Sequence, residues 1–404
     1  MSINIRGQNK LRITLTSFLA YFTMSAVISP LGIISGPIAA HYNIPVTTAT
    51  AGFSYLTAGI LVGTLVSLLI FDWFRLKHIV LCCSALTCAA LACIYLVDSY
   101  LLFPLWLFLA GLACGVNLTA SIIVITNIYN ARLRASMMLL TDSFYSMAGA
   151  LSTWLAAKFI LHQFHWGSAY LLAFLVAVVI ICVACFSSFP SISRREVPRA
   201  DNSAGKRWPA EIFLVGAAIL IYLTGFVTIY SWIPNFTQAR FDLDADMAGG
   251  LVSRFFLGMF IGQLVMFWLA LKCAPTRIIF VAAILATLLS FSLWNVDSAF
   301  HLTVCMFVLG LVTGGLLKLV IAFGTMLMSA PTPRMISFLI FNSALGTALA
   351  PALSAVIVER YDMVAALQFT SICYCLMIAL LCGACLRTSK NALRGIFSDG
   401  NEKV

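Results

Sequence analysis

Apolar residues along this chain do not alternate with polar ones. They run for about twenty positions at a time and then give way to a few charged or turn-forming residues. A helix needs about 20 mostly apolar residues to cross the hydrocarbon core of a bilayer. Twelve such segments can be read, at about 11–40, 47–70, 77–97, 101–126, 136–161, 167–189, 209–233, 247–270, 277–294, 300–328, 335–358 and 363–386. Continuous runs exclude a membrane β-barrel, whose strands turn every second side chain inward. The pattern predicts an all-α integral membrane fold with twelve transmembrane helices.

Composition agrees, since 62% of the 404 residues are hydrophobic and only 9% are charged, and the mean hydropathy is +1.02. Little chain is left for a soluble domain. A net charge of +10 would suggest nucleic acid in a soluble protein, but here the basic residues collect on alternate loops. Arg6, Lys10, Arg12, Arg75, Lys77, Arg132, Arg134, the five between 194 and 207, Lys272, Arg277, Arg334, Arg387, Lys390, Arg394 and Lys403 fall on one side, and only Lys158, Arg240 and Arg360 on the other. The positive-inside rule then expects both termini in the cytoplasm, which an even number of spans satisfies. No nucleic-acid partner is expected. The first apolar run is too long for a signal-peptide core and reads as a retained helix.

The chain repeats itself. Gly59 and Gly63 recur as Gly258 and Gly262, and Gly111 and Gly115 as Gly310 and Gly314, at a constant offset of 199. Asp142-Ser143 corresponds to Asn342-Ser343, and Cys182 with Cys185 to Cys382 with Cys385, at an offset of 200. One small-xxx-small match is common where membrane helices touch; four in one register indicate a duplicated six-helix unit. The expected organisation is a six-helix bundle over 1–189, a basic cytoplasmic linker over 190–208, and a second six-helix bundle with a tail over 209–404. The linker either attracts anionic headgroups through its basic residues or is simply a solvated charge run.

Six plus six helices, inside termini, a basic central linker and parallel repeats resemble the major facilitator superfamily over essentially the whole chain. Within it, FSYLTAGIL (53–61), LTDSFYSMAG (140–149) and YSWIPNF (230–236) are similar to the TsgA-type transporters, a branch of bacterial inner-membrane proteins. The superfamily's loop between helices 2 and 3 survives as Asp72-Trp73-Phe74-Arg75-Leu76-Lys77, with Leu68 at the upstream glycine position. The resemblance implies a gating role for Asp72, Arg75 and Lys77 on the cytoplasmic side, and a central cavity lined by segments 1, 4, 7 and 10 with 2, 5, 8 and 11 beside it. The arginine often found in segment 4 is absent, as are the acidic residues that sugar–proton symporters resembling the fucose transporter carry on segments 1 and 4.

Charges inside the bilayer cost about 2.5–3.5 kcal/mol each at its centre on insertion scales, so they mark functional candidates. Three stand there: Asp142, Arg254 and Lys318. Lys318 follows Gly314 by one turn, so that the glycine leaves room for the lysine stem, and is expected to bind substrate; headgroup snorkelling or a structural salt bridge is the alternative. Arg254 has the planar fork that suits carboxylate or phosphate, with an interfacial role as the alternative. Asp142 shares a helical face with Tyr145, Ser146 and Gly149. It either carries a coupling proton or pairs with Arg132, Arg134 or Lys318. Asn117, Tyr21, Thr228 and Asn342 are further substrate-binding candidates, beside Ser25, Ser29, Thr119, Ser121, Tyr222, Thr224 and Tyr230. Pro30, Gly32 and Pro37 predict bends in segment 1, and Pro234 a bend just after segment 7.

Two cations against one acid point to an anionic or zwitterionic small-molecule solute, carried by secondary active transport with protons as the coupling ion and the chain working as a monomer in the cell inner membrane. Efflux of a drug or metabolite by the same fold is the alternative. A membrane-embedded enzyme is a more distant one, since neither HExxH nor GxSxG is present, and a receptor would need an output domain. No cofactor is implied. Thirteen cysteines sit almost wholly within apolar runs and read as packing residues, His162 and His165 as interfacial rather than metal-binding, and 240–246, with Asp242, Asp244 and Asp246, as a solvated turn rather than a calcium site.

Overall fold

The structure is a computed structural model describing residues 7–97, 99–129, 131–189, 208–270, 272–273, 275–327 and 333–401. Its helices are α1 (Gly7–Ile28), α2 (Leu31–Tyr42), α3 (Val46–Gly52), α4 (Ser54–Trp73), α5 (Leu76–Leu96), α6 (Phe103–Ile128), α7 (Ala131–Leu161), α8 (Leu171–Cys185), α9 (Ala210–Phe241), α10 (Ala245–Ala270), α11 (Pro275–Trp294), α12 (Ala299–Thr313), α13 (Leu316–Met326), α14 (Pro333–Arg360) and α15 (Met363–Asn401). They make twelve spans long and apolar enough to cross a membrane, and no strand occurs among the described residues. Helices satisfy their backbone polar groups internally, which hydrocarbon requires. Of the linker, 190–207 lie outside the described residues; Trp208, at its end, packs on Phe213 and Phe338.

Three predicted segments are subdivided. Segment 1 breaks at Ser29-Pro30 into α1 and α2, because Pro30 cannot donate to the preceding turn. Segment 2 is α3 followed by α4, and segment 10 breaks at Gly314-Gly315 into α12 and α13. Pro234 behaves differently from the expectation that segment 7 ends before it. α9 continues through it to Phe241, and the next residue, Asn235, donates to the Gly32 carbonyl and to Ser35 Oγ on α2, at 3.2 and 2.9 Å. A buried cross-link therefore holds the turn that the proline weakens.

The repeated glycines are backbone-close helix crossings, and the two halves make them at equivalent positions. A methyl on Gly59 would strike the Phe108 carbonyl, and one on Gly258 the Phe307 carbonyl; Gly63 and Gly262 meet Leu112 and Leu311; Gly111 and Gly310 meet Leu56 and Phe255; Gly115 and Gly314 meet Ile60 and Met259. Every contact in the first half thus recurs 199 residues later in the second, as α4 on α6 and α10 on α12. Backbone-to-backbone approach of this kind is what small residues supply in membranes, where dispersion and weak Cα–H···O contacts replace the hydrophobic effect. It locks each half as a body.

The halves meet along two seams, α7 against α10 and α14 against α3 and α4, with α2 against α9 between them. The seams are alike. The Phe256 ring of α10 covers Gly149 of α7, and on the other seam Thr57 Oγ1 of α4, 199 residues before Phe256, donates to the Ala348 carbonyl of α14 at 3.3 Å. Gly32 on the Tyr230 and Ser231 carbonyls, and Gly249 on Ala157 and Ile33, close the seams on the far side, away from the chain termini.

Replacing Gly111 or Gly310 by valine is expected to destabilise by about 1–3 kcal/mol or more through overpacking. Gly383→Ala, whose new methyl meets nothing closer than Leu214 Cδ1 at 3.8 Å, is expected to be neutral within about 1 kcal/mol. Thermal unfolding of the detergent-purified variants measures both.

Candidate functional site

α7 turns a stripe of Asp142, Ser146, Gly149, Ala150 and Ala157 toward the second half. Gly149 and Ala157 touch α10, and the Ala150 carbonyl accepts a hydrogen bond from Ser253 Oγ at 2.8 Å. At the end of the stripe nearer the termini, Lys318 Nζ of α13 stands 3.0 Å from Asp142 Oδ2. The pair joins the halves. Asp142 is 14% exposed and Lys318 48%, so the pair is nearly buried on the acid side and open on the lysine side, and each charge has the partner that membrane depth demands.

The break at Gly314-Gly315 explains how Lys318 gets there. α13 buries Leu316, Val320, Phe323 and Gly324 against its own half, which leaves Lys318 on the opposite side. The expectation that Gly314 makes room for the lysine needs correction. Gly314 is filled by the Met259 backbone of α10 and Gly315 by the Met266 side chain, so the glycines turn the chain rather than vacate space.

Around the pair lies a hydroxyl cluster. Tyr145 shares a hydrogen bond with Ser25, whose Oγ is 3.1 Å from that of Ser29. Tyr21 and Tyr145 are both within electrostatic reach of Asp142, and Tyr230 within reach of Tyr145. The Tyr230 ring is held by Phe226 and Phe256 at 5.8 and 5.7 Å. Ser146 Oγ, one turn from Asp142, is buried without a hydrogen-bond partner among the described residues.

Other candidates fall elsewhere. Asn117 is buried inside the first half, where its Nδ2 donates to Ser84 Oγ of α5 at 3.2 Å. Thr228 and Asn342 spend their donors on their own helices, to the Thr224 and Phe338 carbonyls at 2.8 Å each. Arg254 shares an outward stripe of α10 with Met247, Leu257, Leu264 and Trp268, all exposed. Its guanidinium lies back over Gly250, toward the far interface, as a snorkelling side chain does.

Of the expected gate, the Asp72 side chain lies outside the described residues. Arg75 is exposed in the extended turn before α5, and Lys77 Nζ donates to the Cys185 carbonyl at the end of α8, 2.8 Å away in the same half. His165 caps the turn Trp166–Tyr170 by accepting from the Gly167 N–H at 3.2 Å. Sequence reasoning missed Asn235, whose signal was a lone amide in an apolar run. It also took Asp246 for part of a solvated turn, whereas its carboxylate holds Lys158 at 2.8 Å.

A family model described as Major Facilitator Superfamily matches residues 13–250, more than half of the chain. The chain belongs to the major facilitator superfamily. A protein named TsgA homolog from Serratia proteamaculans (strain 568) is 28% identical over 378 residues, 94% of this chain and 96% of the relative. The crystal structure of the nucleoside transporter NupG superposes with a TM-score of 0.68 at 14% identity, covering 93% of this chain and 98% of that one. That of the D-xylose-proton symporter gives 0.70 at 11% identity, covering 93% and 95%. Superfamily membership makes the chain a multi-pass membrane transporter of a small-molecule substrate, not an enzyme.

Removing one member of the Asp142–Lys318 pair leaves the other charge uncompensated. A double-mutant cycle with Asp142→Asn and Lys318→Met is expected to show the double variant more stable than the sum of the singles, by about 1 kcal/mol for a pair half open to solvent. The melting temperatures of the four proteins measure it.

Proposed function

We propose that this transporter is a secondary carrier for a small anionic or zwitterionic solute, coupled to protons, working by alternating access as a monomer in the inner membrane with both termini cytoplasmic. One observation carries the reading: the Asp142–Lys318 pair bridges the two halves, with the lysine half exposed. Such a pair couples solute and proton by charge balance. An incoming carboxylate or phosphate takes the place of Asp142 on Lys318, and a proton on Asp142 removes the charge thereby left without a partner. Neither step is favourable alone inside a low-dielectric seam, so the two loads enter together.

Tyr21, Ser25, Tyr145, Ser146 and Tyr230 supply the neutral hydrogen-bonding surface for the rest of the solute. Thr228 and Asn342 are left out of the proposed site because their donors are spent on their own helices, Asn117 because it bonds Ser84 inside the first half, and Arg254 because it faces outward. Both cationic and acidic members come from one chain, so a single copy completes the site.

Proteoliposome uptake of labelled organic anions, amino acids, nucleosides and pentoses, with and without an inward proton gradient, tests this. Gradient-driven uptake of an anion or zwitterion is expected for the wild type, falling at least about tenfold in Lys318→Ala, as loss of a charge-assisted contact implies. Asp142→Asn is expected to keep exchange of solute while losing its response to the gradient. Uptake that is unchanged in both variants, or confined to neutral solutes, would overturn the site assignment. Efflux from preloaded vesicles reads the direction of transport.

A further inference from the structure

The two seams between the halves are related by the internal repeat, and among the described residues the ion pairs that cross between the halves lie on one of them, the other having neutral residues at the equivalent positions. On the α7 seam, Asp142 meets Lys318 at 3.0 Å and, sixteen residues further along the helix, Lys158 meets Asp246 at 2.8 Å. The pairs are some 24 Å apart at 1.5 Å per residue and opposite in polarity, the first half giving the acid at one end and the base at the other. The repeat equivalents on the α14 seam are neutral: Asn342 and Thr119 for the first pair, Val358 and Thr47 for the second. Thr119 bonds the Gly115 carbonyl and Asn342 the Phe338 carbonyl, each inside its own helix. Val358 packs with Trp232, Ala355 and Ala366.

Lys158 ends α7 and Asp246 begins α10. The carboxylate therefore sits at a helix N-terminus and the ammonium at a helix C-terminus, the arrangement each helix dipole favours. Each ion remains at home on its own helix when the two separate. Opening therefore costs only their mutual attraction, and that is modest because the side chains are 38% and 28% exposed and within reach of water and salt. The glycine-backed crossings inside each half offer no such reversible contact.

We propose that Lys158 and Asp246 form the far-side latch of the carrier, holding that mouth shut in the state described here, while the neutral α14 seam serves as the pivot. The inference rests on the alternating-access reading, but its test needs no substrate. Spin labels on genetically encoded ketone residues at Leu101 and Phe300, exposed far-side positions in the two halves, report the width of the mouth by electron–electron distance measurement and leave the native cysteines in place.

Asp246→Asn and Lys158→Gln are each expected to raise the ratio of the long-distance to the short-distance population, by up to about fivefold, the scale of a half-exposed pair. The exchange Lys158→Asp with Asp246→Lys is expected to restore most of the short population, and Thr57→Ala on the neutral seam to leave the distribution as in the wild type. A mouth that moves but ignores both single substitutions, or an exchange variant as open as the singles, overturns the latch. A single fixed distance in the wild type and every variant would overturn alternating access itself.

Discussion

A charge inside a bilayer must meet an opposite charge, water or a headgroup, and this requirement places the ionic side chains of the membrane segment. Asp142 and Lys318 meet each other across the halves, and Lys158 and Asp246 do so at the far side. Arg254 has no ion-pair partner among the described residues and folds back over Gly250 toward the nearer interface. The first two solutions tie one half to the other, whereas the third ties a helix to lipid. Ion pairs between two bodies act as contacts that motion can break, and a snorkelling arginine keeps its depth whichever way the bundles rock.

Those bodies exist because of the glycines. At the eight repeated glycines, and at Gly346 on the Leu220 carbonyl, the side chain is deleted so that one helix can rest on the carbonyls of another, and contacts of that closeness are lost steeply with small displacements. Within a half, the helices therefore move together. Between halves the crossings are of two kinds: glycine-backed on the far side, at Gly32 and Gly249, and hydrogen-bonded or ionic at Asn235, Ser253, Lys158 and Lys318. A carrier whose two orientations differ by only a few kcal/mol requires seams weaker than bundles, and the distribution of small and polar residues provides that difference.

What could be read in one dimension was legible in the sequence. Span lengths and the 199-residue register are one-dimensional, and the glycines matched on register alone turn out to touch equivalent carbonyls. Which face of a helix meets which neighbour is not one-dimensional. Arg254, Asn117 and Lys318 all lie at membrane depth on helices the superfamily fold places near the cavity, yet only Lys318 crosses to the other half. The difference arises in α13, which buries Leu316, Val320, Phe323 and Gly324 and leaves Lys318 on the opposite side, and a facing of that kind adds no signal to a hydropathy pattern. Pro234 shows the reverse case. Its local signal was strong, but Asn235 and the burial around it carried the helix through.

The internal repeat sharpens the meaning of the charged pair. Duplication produced two equivalent places for an inter-half crossing, and the neutral copy, Asn342 with Thr119, shows that neither fold nor packing demands ions there, because both residues are satisfied within their own helices. Replacing a partly buried ion pair with neutral or apolar groups is often harmless or stabilising, so its retention at the other copy is weak evidence for a stability role. In the proposed function, the pair adds a site where an anion and a proton compete with an existing interaction at the point where the halves meet. Under that proposal, occupancy of the site alters the contact between the halves directly, which is the physical link a carrier needs between binding and movement.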